Sequence, residues 1–203
     1  MKRLVVYVHG NGGSAAEAEH YKPLFDGWDV VGFAYRAENP WDARKEFRQF
    51  FDLQKKSNDF IVLIANSIGA YFSMNGLCEE QVDGALFISP IVDMEKLIEN
   101  MMQAANVSED ELLSRREVRT AAGDTLSWDY LSYARLHPVQ WCVPTRILYG
   151  ERDALTSAET IEKFAGNTGA AVTVMPGGEH WFHTEEQMSF LDAWIKGFLR
   201  ELQ

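Results

Sequence analysis

Ser67 is the residue of this chain best placed for covalent chemistry. The apolar run Phe60–Ala65 leads into it, and a helical pattern begins directly after it. Ala65 and Gly69 stand two positions either side and carry almost no side chain. That spacing suits a very tight strand-to-helix turn, in which a strained serine holds its hydroxyl clear of a sheet. A serine hydroxyl is a poor nucleophile until a base removes its proton. Imidazole suits that task because it is largely neutral near pH 7, and a carboxylate can orient it and stabilise its cation. Later loops hold candidates for both. Thr145–Tyr149 runs into Gly150-Glu151-Arg152-Asp153, and Ala171–Met175 runs into Pro176-Gly177-Gly178-Glu179-His180. Near the N-terminus, Leu4–Val8 runs into His9-Gly10-Asn11-Gly12-Gly13, whose glycines leave backbone N–H groups bare to meet a developing anion.

Each role has a rival. His183 lies one helical turn beyond His180, but His180 follows a strand within a flexible Gly-Gly loop. Asp93 also follows a strand end and competes with Asp153 for the acid. Glu151 is closer to its strand but points with the opposite parity. His9 reads as support for the glycine-rich loop, and His20 and His137 as surface or packing residues. Ser67 could serve simply as a helix cap, a reading its small neighbours disfavour. The glycine-rich loop lacks the Gly-Lys-Ser/Thr ending of a phosphate loop.

The elements that must position these groups alternate along the chain. Six strands are expected, at Leu4–Val8, Asp29–Phe33, Phe60–Ala65, Ala85–Ser89, Thr145–Tyr149 and Ala171–Met175. Their continuous apolar character fits a parallel sheet covered on both faces. In such a sheet the loops past the carboxyl ends share one edge, where ligands bind. Helices are expected around Ala15–Leu24, after Asn39-Pro40, over Ile68–Leu77, and after the capping boxes Thr156–Glu159 and Thr184–Gln187. The helix after Asn39-Pro40 turns Ala43, Phe47, Phe50 and Phe51 to the core. The last helix turns Met188, Leu191, Ile195, Phe198 and Leu202 to one face.

In chain order the His-Gly loop, the serine elbow, the acid and the histidine resemble an α/β-hydrolase, where serine precedes acid and acid precedes histidine. The resemblance spans nearly the whole chain. It implies a three-layer α/β/α sandwich with a mostly parallel sheet of about six strands, in one domain over residues 1–203. It makes Ser67 the nucleophile, Asp153 the acid and His180 the base, with the N–H groups of Asn11 and Ile68 as the oxyanion hole. The activity implied is hydrolysis of a small carboxylic ester or related acyl bond through an acyl-serine intermediate. Thioesterase, amidase or acyltransferase chemistry by the same triad stays open, as does a non-catalytic protein that binds a small ligand. No metal or cofactor is implied. Ala65 stands where the family usually has glycine, and only one strand precedes the glycine-rich loop.

Residues 91–141 interrupt the alternation with far more chain than a crossover needs. Met94, Leu97, Ile98, Met101 and Met102 repeat at helical spacing. Ser108–Glu111 forms a capping box, and Trp128, Leu131 and Arg135 share a face of a third helical piece. Leaving the sheet after its fourth strand, the insert begins beside the site, and the resemblance makes it a small helical cap. Trp128, Tyr130, Tyr133 and Trp141 are candidate pocket walls.

Composition agrees with this reading. The chain has 203 residues, 46% apolar and 12% aromatic, enough to bury a sizeable core. A net charge of −11 disfavours nucleic acid and anionic membranes, so the expected partner is a small acyl substrate. Cys78 and Cys142 have neither metal nor redox spacing and read as free thiols of a reducing, cytoplasmic protein. The apolar run after Met1-Lys2-Arg3 is too short for a signal peptide core. Oligomeric state is not encoded in any pattern of the sequence.

Overall fold

The computed structural model describes residues 1–201. The chain opens with strand β1 (Arg3–Val8) and short helix α1 (Ala18–Tyr21), then β2 (Asp29–Gly32) and α2 (Pro40–Lys55). Strand β3 (Phe60–Asn66), helix α3 (Ile68–Gly76) and strand β4 (Gly84–Ile88) follow. The insert holds α4 (Met94–Ala104), α5 (Glu109–Arg115), a hairpin of β5 (Glu117–Arg119) and β6 (Thr125–Ser127), and α6 (Trp128–Leu136). Then come β7 (Thr145–Gly150), α7 (Ala158–Thr168), β8 (Ala171–Met175) and α8 (Glu185–Glu201).

The six long strands form one sheet in the order β2-β1-β3-β4-β7-β8. Every neighbouring pair is parallel. Alternate residues of the strands feed two cores, so neither face of the sheet meets water. On one side Val6, Leu63, Phe87 and Ile147 pack with α2, α3, α7 and the insert. On the other Val5, Ile64, Leu86 and Leu148 pack with α1 and α8. This is the three-layer α/β/α sandwich expected, with β1, β3, β4, β7 and β8 sending their carboxyl ends to one edge.

Local signals set the helix ends. Asn39 caps α2 by accepting from the Asp42 N–H at 2.9 Å, and Ser108 caps α5 through the Glu111 N–H at 3.1 Å. Thr184 and Gln187 exchange both capping-box bonds at the start of α8. Leu191, Ile195 and Phe198 of α8 are buried as expected, and Met188 packs against them. Leu202 lies outside the described residues.

Three expectations need correction. The helix expected over residues 15–24 is broken into a 3-10 turn, α1 and a second 3-10 turn. Pro23 stands in the last piece and has no N–H to continue the ladder. Helix α7 is capped by Ser157, which accepts from Thr160 N–H, so the start falls one residue later than a Thr156 box requires. Asp153 takes the Thr156 N–H instead, at 3.0 Å. The insert holds three helices as expected, but also the hairpin β5–β6.

The insert is cross-braced. Arg135 of α6 reaches Glu95 and Glu99 of α4 at 2.8 and 3.1 Å, and Glu109 of α5 at 2.7 Å. Below it Phe47 is fully buried, with Phe33, Tyr35 and Phe72 rings at 5.0, 5.2 and 6.3 Å. Phe47→Ala is expected to destabilise the protein by about 3–5 kcal/mol through lost transfer energy and an unfilled cavity. Urea denaturation measures this, and a loss below ~1 kcal/mol would mean the aromatic cluster is not a rigid part of the core.

Candidate active site

Ser67 stands between β3 and α3 with φ 51° and ψ −120°, a conformation rarely adopted by a residue with a side chain. Its surroundings hold it there. The Ser67 N–H donates to the Ile88 carbonyl at 3.0 Å. The Ser67 carbonyl accepts from Ala70 and Ile91 N–H at 3.1 and 3.2 Å. Gly69 is required by close approach, since a Cβ there would lie 2.4 Å from the His9 carbonyl oxygen. Ala65 is completely buried, so the core has room for its methyl group.

The loops after β7 and β8 lie backbone against backbone. A Cβ on Gly150 would sit 2.4 Å from the Glu179 carbonyl oxygen, so only glycine allows the approach. Glu151 N–H donates to the Met175 carbonyl at 3.1 Å, and Arg152 N–H to Gly178 at 2.8 Å. This packing sets Asp153 beside His180. The buried Asp153 carboxylate accepts the Leu155 and Thr156 N–H groups at 2.8 and 3.0 Å through Oδ1. Its Oδ2 lies 2.7 Å from His180 Nδ1. A carboxylate only accepts, so Nδ1 carries the proton and donates it. That leaves the Nε2 lone pair facing the Ser67 hydroxyl, which donates across 2.8 Å.

Asn11 and Ile68 line the same cavity as Ser67. Among the described residues neither amide N–H has a backbone acceptor. The Asn11 loop is stiffened from both sides. His9 stacks on Tyr35 at 4.3 Å, and the Tyr35 hydroxyl donates to the His9 carbonyl at 2.9 Å. Across the loop the Tyr7 hydroxyl donates to Glu17, whose other oxygen accepts the Ser14 N–H at 2.8 Å. Burial, with the neighbouring Tyr21 and Glu17, pushes the Tyr7 phenol far above its ordinary range, so it stays a donor. Tyr35 and Glu17 carry no sequence signal for this role; only the fold brings them to the loop.

The rival residues are committed elsewhere. Asp93 accepts Lys96 N–H at 3.0 Å as the cap of α4. Glu151 accepts Gly177 N–H at 2.7 Å. His183 stacks on the exposed Trp181 at 4.4 Å, and its Nδ1 bonds the Trp181 carbonyl. His20 meets Asp192 at 2.8 Å, and His137 stacks on Tyr133.

The cavity beside Ser67 measures about 380 Å³. One wall is the α4 face of Met94, Leu97, Ile98 and Met101; Leu126 of the hairpin and Tyr130 add to it. Of the aromatic candidates in the insert, Tyr130 alone is among these lining residues. Trp128 opens α6 and packs against the core. The Tyr133 hydroxyl bonds Asn75. Trp141 is buried against Phe87, its N–H on Thr145 at 2.7 Å. The α4 stripe is visible in the sequence, but which end of the sheet it faces is not. Among the described residues no group of three or more His, Cys, Asp or Glu side chains could hold a metal ion.

No protein-family model matches the chain, and no curated protein matches it in sequence. Solved structures do share its fold. Alpha/beta hydrolase domain-containing protein 10 from mouse is similar at a TM-score of 0.77 and 15% identity, covering 98% of this chain and 90% of its own. Est1E from Butyrivibrio proteoclasticus is similar at a TM-score of 0.77 and 16% identity, covering 98% and 88%. The monoacylglycerol lipase of Paleococcus ferrophilus reaches a TM-score of 0.61 at 15% identity, over 96% and 94%. The chain therefore has the α/β-hydrolase fold.

Asp93→Ala should cost about 0.5–2 kcal/mol of stability in urea denaturation, the price of an N-cap. No loss would show that the Asp93 bond to Lys96 N–H does not cap α4.

Proposed function

We propose that this protein is a serine hydrolase that cleaves a small carboxylic ester through an acyl-serine intermediate. The observation that carries the reading is the unbroken hydrogen-bond chain from Asp153 through His180 to Ser67. His180 takes the Ser67 proton as Oγ attacks the ester carbonyl. Buried Asp153 fixes the imidazole tautomer and stabilises the cation that forms. The N–H groups of Ile68 and Asn11 meet the tetrahedral oxyanion, each donor worth roughly 3 kcal/mol. His180 then returns its proton to the departing alcohol. Water, deprotonated by His180, releases the acid. Because protonated His180 cannot accept, kcat/KM should fall as the solution is made acidic.

The cavity supports an apolar acyl group as the part of the substrate held beside Ser67. Est1E and the monoacylglycerol lipase are named as an esterase and a lipase, which agrees with ester cleavage. Thioesters, amides or transfer to a second acceptor would use the same residues; the acyl pocket is common to all of them. In this reading residues 1–203 form one hydrolase domain and 91–141 cap the site. Both cysteines are exposed free thiols, which supports a reducing compartment and hence the cytoplasm. Among the described residues no helix is long and apolar enough to cross a membrane.

Ser67→Ala should abolish turnover and covalent labelling by a small fluorophosphonate while leaving the circular dichroism spectrum unchanged. Folded wild-type protein that takes no label would instead be a ligand-binding protein without catalysis. Asp153→Asn should keep the fold and lower kcat by up to about 10⁴-fold, because it permits the wrong tautomer. Steady-state kinetics of the two variants check this, and undiminished kcat in Asp153→Asn would remove Asp153 from the mechanism.

A further inference from the structure

A second cavity, of about 330 Å³, opens between the start of α4, residues 137–139 and α7. Val92, Ala134, Val139 and Phe164 give it an apolar floor, and Lys96 and Lys163 stand among its charged lining. Met94 lines both this cavity and the one at Ser67. Tyr71 lines the second cavity and Tyr130 the first, with their rings stacked at 6.5 Å. The partition between the cavities is therefore one methionine and a pair of tyrosines.

That partition is unlike a finished core wall. The Tyr71 and Tyr130 hydroxyls are both buried without a hydrogen-bond partner. Burial holds both phenols above their ordinary range, so each remains a donor. Buried hydroxyls in folded proteins are nearly always bonded, and two unmet donors in one thin wall favour an arrangement in which it opens. Methionine is unbranched and has three rotatable bonds, which suits a movable plug. The insert around the plug is held by the Arg135 network, so rotation of Met94 opens the wall without unfolding the insert.

We propose that Met94 is a gate, and that the two cavities join into one channel for the acyl chain of a long-chain fatty acyl ester. The inference rests on the serine-hydrolase reading. The acyl carbonyl lies at Ser67, the proximal carbons lie along α4, and the distal carbons pass Met94 onto the floor of the second cavity. A short acyl group fills the first cavity alone.

The test compares kcat/KM for p-nitrophenyl palmitate and p-nitrophenyl butyrate in the full-length protein. Met94→Ala should raise the palmitate-to-butyrate ratio about tenfold by opening the gate. Val139→Trp should lower that ratio about tenfold by filling the second cavity at a site away from Ser67. Circular dichroism checks the fold of each variant, and the Val139 variant decides alone if Met94→Ala does not fold. An unchanged ratio in the folded variants overturns the channel, as does a Val139→Trp variant that loses both esters equally. Fluorophosphonate labelling separates the two levels of failure. A labelled enzyme with an unchanged ratio refutes the channel alone. Wild-type protein that neither labels nor cleaves butyrate refutes the hydrolase reading and the channel with it.

Discussion

The strained turn at Ser67 is the constraint to which the rest of the site is fitted. A non-glycine residue at φ 51° and ψ −120° costs about 1–3 kcal/mol and persists only where its surroundings over-determine it. Here β4 takes the Ser67 N–H, the chain after β4 donates to its carbonyl, and Gly69 lies against the His9 backbone. The same contact that permits the turn brings the glycine-rich loop beside the nucleophile. Serine placement and oxyanion-loop placement are thus one packing event. A side chain at position 69 would separate them.

A second close approach completes the site. Gly150 lets the loop after β7 touch the loop after β8, and Asp153 and His180 meet as a consequence. These two loops follow neighbouring strands at the edge of the sheet, while Ser67 follows a central one. The parallel sheet turns residues far apart in sequence into one cluster because all its carboxyl ends point the same way. The insert leaves that same edge after β4 and lays the apolar face of α4 over the cavity.

Much of this is legible in the sequence because it rests on local rules. Continuous apolar runs give the six strands, and Ala65, Ser67 and Gly69 give the elbow by size alone. The choice of His180 over His183 follows from loop position, and the choice of Asp153 over Asp93 becomes clear when Asp93 is seen capping α4. What is not legible depends on tertiary contact. The hairpin strands have three residues each, with Val118 and Leu126 as their buried positions, so no alternation can be read. The pocket wall is α4 with Tyr130, rather than the aromatic set of α6 and its flank. Aromatic type alone cannot tell a ligand-facing ring from one packed on Asn75 or Phe87.

The central claim is that Ser67, activated by His180 and Asp153, carries the acyl group during turnover. Rapid acid quench of the protein mixed with an activated ester, followed by mass spectrometry of the peptide containing residue 67, tests it directly. The expected result is an acyl adduct on Ser67 that forms in a burst within the first turnover and disappears as substrate is consumed. Ester cleavage with no adduct on Ser67, or with the acyl group carried by another residue, would contradict it.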